Sequence, residues 1–427
     1  MSSRTTYVFL TVLLLLATTI FLGATPAASL SSTGIEVTNV KVGLQPLDLL
    51  YNPSNDYIYV ANAQSCPVSG DLVVCNAPGT ISVISGMTVV ANITVGTAPF
   101  TLAYDSLDHY VYELDSSNNV TVISGTQVVG AIEVPASPSS VVYDSSNDYL
   151  YLSSFDHSTG EGVVSVISGT TLLGTVEGIG FSSAMTYDAS NHYMYIASGN
   201  TVYLVSGLKV VAQSTPSVNN AQQLLYDPTN AYVYAANFND SSVTILDNAT
   251  LIGNATMPKG STPNALAYDP QNNYVYATNF WNDTVAAISG TTVLATIAVG
   301  QTPDSAFYNP MTDEVYVTYN SLGETISVIS GTSLVSSVTL GKGPVSPVYD
   351  PSSHEVYIAD SGSNEVSVLA YTAAGLTAVS SSSSSPSSSS PFAIVGLAVV
   401  LIAAAVGVTA LYTARSRRSQ HEQPAPT

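Results

Sequence analysis

The fold is indicated by a stretch that occurs twice in almost the same form, as YDPTNAYVYAANF at 226–238 and as YDPQNNYVYATNF at 268–280. A Tyr followed by Asp or Asn marks eight such copies, at Tyr51, Tyr104, Tyr143, Tyr187, Tyr226, Tyr268, Tyr308 and Tyr349. Each copy has a second Tyr further on, at Tyr59, Tyr112, Tyr151, Tyr195, Tyr234, Tyr276, Tyr316 and Tyr357. The chain is therefore built from an internal repeat of about forty residues.

The copy around Tyr268 shows how each repeat divides into strands. Apolar residues alternate with polar ones in four short runs separated by turn residues, which is the pattern of β-strands. The predicted strands A, B, C and D are Asn264–Pro270, Tyr274–Asn279, Val285–Gly290 and Thr292–Gly300. Asp269 favours a turn between A and B, and Gly290 favours one between C and D.

A repeat of this length with four strands is typical of a β-propeller blade, and one blade cannot bury both of its faces alone. The last copy has only strands A, B and C, ending with 365–370, whereas an unmatched strand at 35–43 resembles strand D. Pairing these two segments would complete one blade and remove the open sheet edges. The sequence thus predicts an all-β propeller of eight blades over 35–371. Seven blades is the alternative, if the copy at Tyr143 or the copy at Tyr187 is incomplete.

The repeat also resembles a known family. The two stretches quoted above and TISVISGTSLVSSVTLG at 325–341 look like the YVTN-type β-propeller repeats of archaeal and bacterial cell-surface proteins. The copy around Tyr187 departs from the pattern, and the first copy carries an insertion with two Cys residues. The resemblance implies a surface-layer or adhesive ectodomain.

Two apolar segments frame the repeats. Residues 7–22 follow Arg4 and precede small residues, so 1–28 is predicted to be a signal peptide or an N-terminal anchor. Phe392–Tyr412 contains no charged residue and would be about 31 Å long as a helix, enough to cross a bilayer. The Ser-rich segment 372–391 between the repeats and this helix is predicted to be a flexible stalk.

The basic residues after the second segment predict the topology. Arg415, Arg417 and Arg418 lie in the short tail 413–427, and basic residues next to a membrane helix stay in the cytoplasm. We therefore expect a single-pass protein of the cell membrane with its propeller outside the cell and its C-terminus in the cytoplasm.

Charge narrows the range of partners. The chain has 8 Lys and Arg against 29 Asp and Glu, a formal net charge of −21. Binding of nucleic acid requires a basic surface, so that class of partner is excluded. A charge-poor acidic composition suits either solubility or an acidic habitat, and the sequence leaves both open.

Several residues are candidates for covalent modification. Cys66 and Cys75 are the only two Cys residues, and an exported chain favours a disulfide between them over a metal site, because no His lies near them in the sequence. Six sequons fit an exported glycoprotein, at Asn92, Asn119, Asn239, Asn248, Asn254 and Asn282.

Binding is expected at the loops that join strands B to C and D to A, because these share one face of a propeller and are free to vary. Aromatic residues expected to be exposed there are Phe155, Phe238, Phe280, Trp281 and Tyr319. Packing of these rings between loops is the alternative. The partner would be a cell-surface protein or a glycan, or a second copy of the chain in a surface lattice.

Catalytic chemistry has little support in the sequence. His109, His192 and His354 occupy the same A to B turn in three different repeats, which indicates exposed turn residues instead of a metal centre. The Asp that follows the first Tyr exchanges with Asn52 and Asn309, which favours a turn function over cation binding. No nucleophile elbow, P-loop, dinucleotide or haem motif occurs. We expect no cofactor and no enzyme; a ligand-binding module, or a hydrolase or lyase, is the alternative.

Overall fold

The computed structural model describes residues 34–64, 68–69, 72–73, 78–156, 159–182 and 184–371. These residues form strands joined by turns and loops, without a helix. None of them belongs to a helix long and apolar enough to cross a membrane. The signal segment, the Ser-rich stalk, Phe392–Tyr412 and the two Cys residues lie outside the described residues.

The chain first forms β1 (Ile35–Lys41) and then the first four blades. Blade 1 contains β2 (Pro46–Asn52), β3 (Tyr57–Asn62), the inserted hairpin strands β4 (Val68–Ser69) and β5 (Leu72–Val73), β6 (Pro78–Ser85) and β7 (Thr88–Thr97). Blade 2 contains β8 (Thr101–Tyr104), β9 (Val111–Leu114), β10 (Asn119–Ser124) and β11 (Gln127–Glu133). Blade 3 contains β12 (Ser137–Asp144), β13 (Tyr149–Asp156), β14 (Glu161–Ser168) and β15 (Thr171–Val176). Blade 4 contains β16 (Ala184–Asp188), β17 (Tyr193–Ser198), β18 (Thr201–Ser206) and β19 (Lys209–Gln213).

The remaining blades follow the same order. Blade 5 contains β20 (Ala221–Asp227), β21 (Tyr232–Asn237), β22 (Ser242–Asp247) and β23 (Thr250–Thr256). Blade 6 contains β24 (Pro263–Asp269), β25 (Tyr274–Asn279), β26 (Thr284–Ser289) and β27 (Thr292–Ala298). Blade 7 contains β28 (Pro303–Asn309), β29 (Glu314–Tyr319), β30 (Thr325–Ser330) and β31 (Ser333–Thr339). Blade 8 contains β32 (Pro344–Asp350), β33 (Glu355–Asp360) and β34 (Glu365–Tyr371).

Blade 8 is completed by the first strand of the chain. The sheet order is β1-β34-β33-β32, with Ile35 opposite Tyr371 and Lys41 opposite Glu365. The Lys41 ammonium lies 3.2 Å from the Glu365 carboxylate. The first strands of the blades contact one another around the ring, including β32 against β2. The predicted eight blades are confirmed, and the alternative of seven is wrong because blades 3 and 4 both have four strands.

The hydrophobic core lies between the blades. The second Tyr of every repeat is at most 1% exposed, and these eight rings are among the largest fully buried side chains. In four blades the hydroxyl group crosses to the next blade and donates to a Gly carbonyl in its C to D turn. These bonds are Tyr59 to Gly125 at 2.8 Å, Tyr112 to Gly169 at 2.8 Å, Tyr276 to Gly331 at 2.7 Å and Tyr357 to Gly86 at 3.3 Å. The last of these bonds joins blade 8 to blade 1.

The two faces of the ring carry different connections. Side chains of an A to B turn and a C to D turn meet where Asn191 Nδ2 donates to Asn248 Oδ1 at 2.9 Å, and we call this side the lower face. Backbone of a B to C loop and a D to A loop meets where the Phe280 amide donates to the Thr262 carbonyl at 3.0 Å, and we call this side the upper face. The loops at which binding is expected, those that join strands B to C and D to A, therefore lie on the upper face.

Candidate binding face

The upper face brings three of the five predicted aromatic residues together. Phe238 lies in the B to C loop of blade 5, and Phe280 and Trp281 lie in the B to C loop of blade 6. The ring centroids of Phe238 and Phe280 are 6.4 Å apart, and those of Phe280 and Trp281 are 4.8 Å apart. Trp281 remains 61% exposed, whereas both Phe rings are half-buried. We call these three residues the aromatic cluster.

The other two predicted residues are placed differently. Phe155 pairs with Phe181 at 5.2 Å, across blades 3 and 4, and does not belong to the aromatic cluster. The expectation that Tyr319 is exposed is wrong, because only 7% of this residue is accessible. Its hydroxyl group donates to Ser327 and accepts a hydrogen bond from the Gly300 amide at 3.0 Å. Tyr319 stands at the end of strand B, where five other repeats have Asn or Asp and two have Ser, so its ring turns inward.

Backbone hydrogen bonds hold the aromatic cluster in place. The Trp281 amide donates to Thr262 Oγ1 at 2.9 Å, and the Phe280 amide donates to the Thr262 carbonyl at 3.0 Å. The planes of the Phe280 and Trp281 rings stand at 89°, so the edge of one ring faces the other. This geometry is favourable for aromatic pairs, and a perpendicular neighbour covers at most one of the two indole faces.

Exposed polar side chains border the aromatic cluster on blade 5. Asn219 Nδ2 donates to Asp240 Oδ1 at 3.1 Å, and Asn239 Nδ2 donates to Asn219 Oδ1 at 3.4 Å. All three residues are exposed. This row of amides and carboxylate could not be predicted from the sequence, because Asn219 is far from the other two residues along the chain.

All six sequon Asn residues are exposed, as glycosylation would require. Two of them, Asn92 and Asn254, also take part in a hydrogen-bonded row that crosses three strands. Ser82 Oγ donates to Asn92 Oδ1 at 2.7 Å, and Thr244 Oγ1 donates to Asn254 Oδ1 at 2.8 Å. These contacts use the side-chain oxygen and leave the nitrogen, the atom that carries an N-linked glycan, outside the row.

The three His residues lie in exposed turns, as predicted. Each has a positive φ, and each bonds through Nδ1 to the hydroxyl group of the first Tyr of its repeat. These bonds are Tyr104 to His109 at 2.8 Å, Tyr187 to His192 at 2.9 Å and Tyr349 to His354 at 2.7 Å. Asp56 fills the same position in blade 1. His at this position therefore supports a turn.

The Asp or Asn that follows the first Tyr of each repeat also stabilises a turn. In all eight repeats, Oδ1 of the Asp or Asn after the first Tyr accepts a hydrogen bond from the backbone amide two residues on, at 2.7 to 3.0 Å.

One group of carboxylates was not predicted from the sequence: atoms of Asp105, Asp108 and Asp148 lie within 4.8 Å of one another. Its members already accept hydrogen bonds, as when Tyr143 donates to Asp148 at 2.9 Å. Burial raises the pKa of Asp148, and nearby Asp105 adds to the effect.

A second group of acids lies inside the protein, on blade 2. Glu113 is fully buried on β9, and neither of its carboxyl oxygens has a hydrogen-bond partner among the described residues. Asp115 Oδ2 likewise has none. Burial raises the pKa of Glu113 to about 8, and the negative charge of Asp115 adds to the shift. The equivalent residues of the other repeats are apolar, for example Val60 and Val317.

Asp48 joins three blades at the inner side of the ring. Its carboxylate accepts from Ser346 Oγ on blade 8, and from Thr101 Oγ1 at 3.2 Å and the Leu102 amide at 2.9 Å on blade 2. Burial raises its pKa to about 7 despite these donors. Gln223 is its equivalent in blade 5 and accepts from the Leu266 amide at 2.7 Å, so the role does not require a charge.

Comparison with known proteins supports the fold and leaves the family open. No family model and no curated sequence matches the chain. Among solved structures, the C-terminal WD40 domain of Sif2 is similar with a TM-score of 0.60 at 10% identity, covering 78% of this chain and 98% of that one. The propeller domain of Cps50 (Swd1) from Myceliophteria thermophila has a TM-score of 0.52 at 10% identity, covering 78% and 99%. A streptogramin B lyase has a TM-score of 0.51 at 9% identity, covering 79% and 98%.

These neighbours agree on the class of protein. The chain is a β-propeller with eight four-stranded blades, in which one blade is shared by the two ends of the repeat domain. At such low identity the similarity shows the fold alone, because propellers serve both as interaction domains and as enzymes. The resemblance to YVTN-type surface proteins remains a prediction.

Proposed function

We propose that this protein is a membrane-anchored extracellular scaffold, acting as a surface-layer component or an adhesin, that presents the upper face of its propeller to partners. The partner class is a cell-surface protein or glycan, or another copy of the chain. The aromatic cluster supports a binding role for this face, because exposed aromatic residues on rigid loops are common anchors of interfaces.

The main support for the proposal is the position at which the repeat domain begins and ends. Strand β34 ends at Tyr371, whose hydroxyl group accepts from Asn309 Nδ2 at 2.7 Å in an A to B turn, so it ends at the lower face. Ile35, opposite Tyr371, starts at the same place. The predicted stalk and membrane helix follow Tyr371 in sequence. An anchor on this side would turn the upper face away from the membrane.

Proteolysis of intact cells tests the topology. We expect cleavage in 372–391 to release a compact fragment of roughly the length of the repeat domain. Size-exclusion chromatography of that fragment then separates the roles, since arrays favour a surface layer and a monomer favours adhesion. If the protease can reach the stalk but releases no propeller fragment from the cells, the proposed outward propeller is contradicted.

The orientation of the two faces needs a separate measurement. Leu322 in a B to C loop is 72% exposed and Leu107 in an A to B turn is 66% exposed, which makes them a matched pair on opposite faces. Each is changed to Cys for dye attachment in a protein lacking the two native Cys residues, and the protein is placed in vesicles with an acceptor dye. We expect weaker energy transfer from position 322. Equal transfer would contradict the proposed orientation.

A propeller enzyme is the second candidate, and a lyase among the structural neighbours favours it. Candidate acids exist, because burial raises the pKa of Asp304 to about 7 on inner strand β28. Asp304 Oδ1 accepts from Asn264 Nδ2 at 2.9 Å, and no His or basic side chain contacts it among the described residues. We therefore favour the scaffold.

A further inference from the structure

We propose that the aromatic cluster of Phe238, Phe280 and Trp281 binds a neutral carbohydrate chain on a partner surface. The inference rests on the proposed function, because it names the class of partner that the outward face takes. Sugar rings present a flat face of C–H groups that stacks on an aromatic ring, while their hydroxyl groups lie at the edge. A site for them needs an open ring and polar groups beside it.

Trp281 provides the open ring. It is 61% exposed, and Phe280, whose ring stands at 89° to the indole with the centroids 4.8 Å apart, can cover at most one of the two indole faces. The hydrogen bond from the Trp281 amide to Thr262 Oγ1 at 2.9 Å fixes the backbone of the loop. A ring that is already held in place loses little conformational entropy when a ligand binds.

The polar groups lie on the neighbouring blade. Asn219, Asn239 and Asp240 form an exposed row next to Phe238, which is 6.4 Å from Phe280 between ring centroids. The Asn amides can both donate to and accept from hydroxyl groups, and the Asp240 carboxylate can accept from them. The row and the rings together match a ligand whose faces are apolar and whose edges are polar.

Charge and shape disfavour other ligands. The chain carries a formal net charge of −21, and near the aromatic cluster the only basic residue in either B to C loop or the adjoining loop 257–262 is Lys259. Nucleic acids, anionic lipids and acidic glycans would be repelled. An apolar peptide would require a continuous apolar groove, whereas amides and a carboxylate border these rings. A neutral carbohydrate fits both conditions.

The only Trp of the chain lies in the proposed site, so its fluorescence reports binding directly. The full-length protein, made in a host without N-glycosylation, is titrated in detergent with maltohexaose, cellohexaose, mannohexaose and laminarihexaose. We expect at least one of these probes to give a saturable change in Trp emission. Phe280→Ala should weaken that binding at least tenfold, and Phe181→Ala, which removes an aromatic ring between blades 3 and 4, should leave it unchanged.

Three results would overturn the inference. One is the absence of any response to all four probes, in emission and in calorimetry. Another is calorimetric binding that Phe280→Ala and Trp281→Ala leave intact, which would place the sugar elsewhere. The third is a native protein whose own glycan at Asn239 or Asn282 protects Trp281 from quenching by acrylamide. Release of the propeller from intact cells is independent of all three, so failure here would leave the proposed scaffold standing.

Discussion

The hydroxyl groups of Tyr316 and Tyr371 lie 2.6 Å apart, in the place where four other blades use a Gly carbonyl. Blade 8 has no C to D turn, because its fourth strand comes from the other end of the chain. The buried Tyr of blade 7 therefore bonds to the last residue of β34, and Asn309 Nδ2 donates to the same hydroxyl group at 2.7 Å. Tyr371 thus replaces a missing turn and holds the shared blade against its neighbour.

Tyr371→Phe should lower the free energy of unfolding of the repeat domain by about 1–3 kcal/mol, because it removes the hydrogen bonds of this hydroxyl group to Tyr316 and Asn309. Of this buried group of contacts, only the bond from Asn309 Nδ2 to the Tyr316 hydroxyl at 3.2 Å would remain. Urea unfolding of residues 34–371 measures this. Tyr203→Phe is the control, since that hydroxyl group has no hydrogen bond among the described residues, and it should change stability by less than about 0.5 kcal/mol. Equal losses in the two variants would contradict a specific role for Tyr371.

The bonds from Tyr to Gly between blades should have a smaller effect. Tyr276→Phe removes a single hydrogen bond to the Gly331 carbonyl, which is worth about 0.5–1.5 kcal/mol, while the buried ring remains. Tyr276→Ala also removes the ring and should cost about 3–5 kcal/mol. Thermal unfolding of both variants gives the comparison. A Phe variant as unstable as the Ala variant would show that the hydroxyl group, and not the ring, dominates.

The periodicity of the sequence was sufficient for the architecture. The spacing of turn residues predicted four strands in each repeat, and the unmatched strand before Tyr51 predicted the shared blade, because a ring leaves no other partner for it. Contacts between blades could not be predicted in this way. Gly125 and Tyr59 are distant in sequence, so the bond between them depends on how far one blade is rotated from the next.

The candidate site was predicted in part, for a similar reason. Phe238 and Phe280 occupy equivalent positions of adjacent repeats, so their proximity follows from the order of the blades. Tyr319 occupies a position that has Asn, Asp or Ser in the other repeats, and the burial of its ring could not be predicted from its place next to a loop. Glu113 did leave a signal, since a charged residue replaces the apolar residue of the other copies, but alternation within one strand does not show it.

The turns at these Asp and Asn residues give a prediction that separates the effect of the side-chain oxygen from the effect of the negative charge. Asp188 Oδ1 accepts from the Ser190 amide at 2.8 Å and from Ser190 Oγ at 2.6 Å, and an Asn side chain offers the same oxygen. Asp188→Asn should therefore change the free energy of unfolding by less than about 0.5 kcal/mol, whereas Asp188→Ala should lower it by about 1 kcal/mol or more. Denaturant titrations with and without added calcium make the comparison. If calcium stabilises the parent protein and Asp188→Asn abolishes that stabilisation, a purely structural role of the turn is contradicted.

Buried acids predict how stability depends on pH. Glu113 has an ordinary pKa of 4.5, raised to about 8 in the folded protein, first by burial and then by Asp115. Between these values the folded protein binds more protons than the unfolded chain, so stability is greatest at acid pH and falls as the pH rises towards 8. Asp48 and Asp360, each raised to about 7, act in the same direction. We expect the midpoint of thermal unfolding to fall from pH 4 to pH 8.

Replacing Glu113 tests the origin of that slope. Glu113→Val introduces the residue found at this place in blades 1 and 7, and it should raise the free energy of unfolding at pH 8 by about 2–4 kcal/mol while changing it far less at pH 4. The exposed Glu133→Gln on the same blade is the control and should leave the slope as it is. A Val variant with the parent's pH dependence would show that Glu113 keeps its charge through a partner.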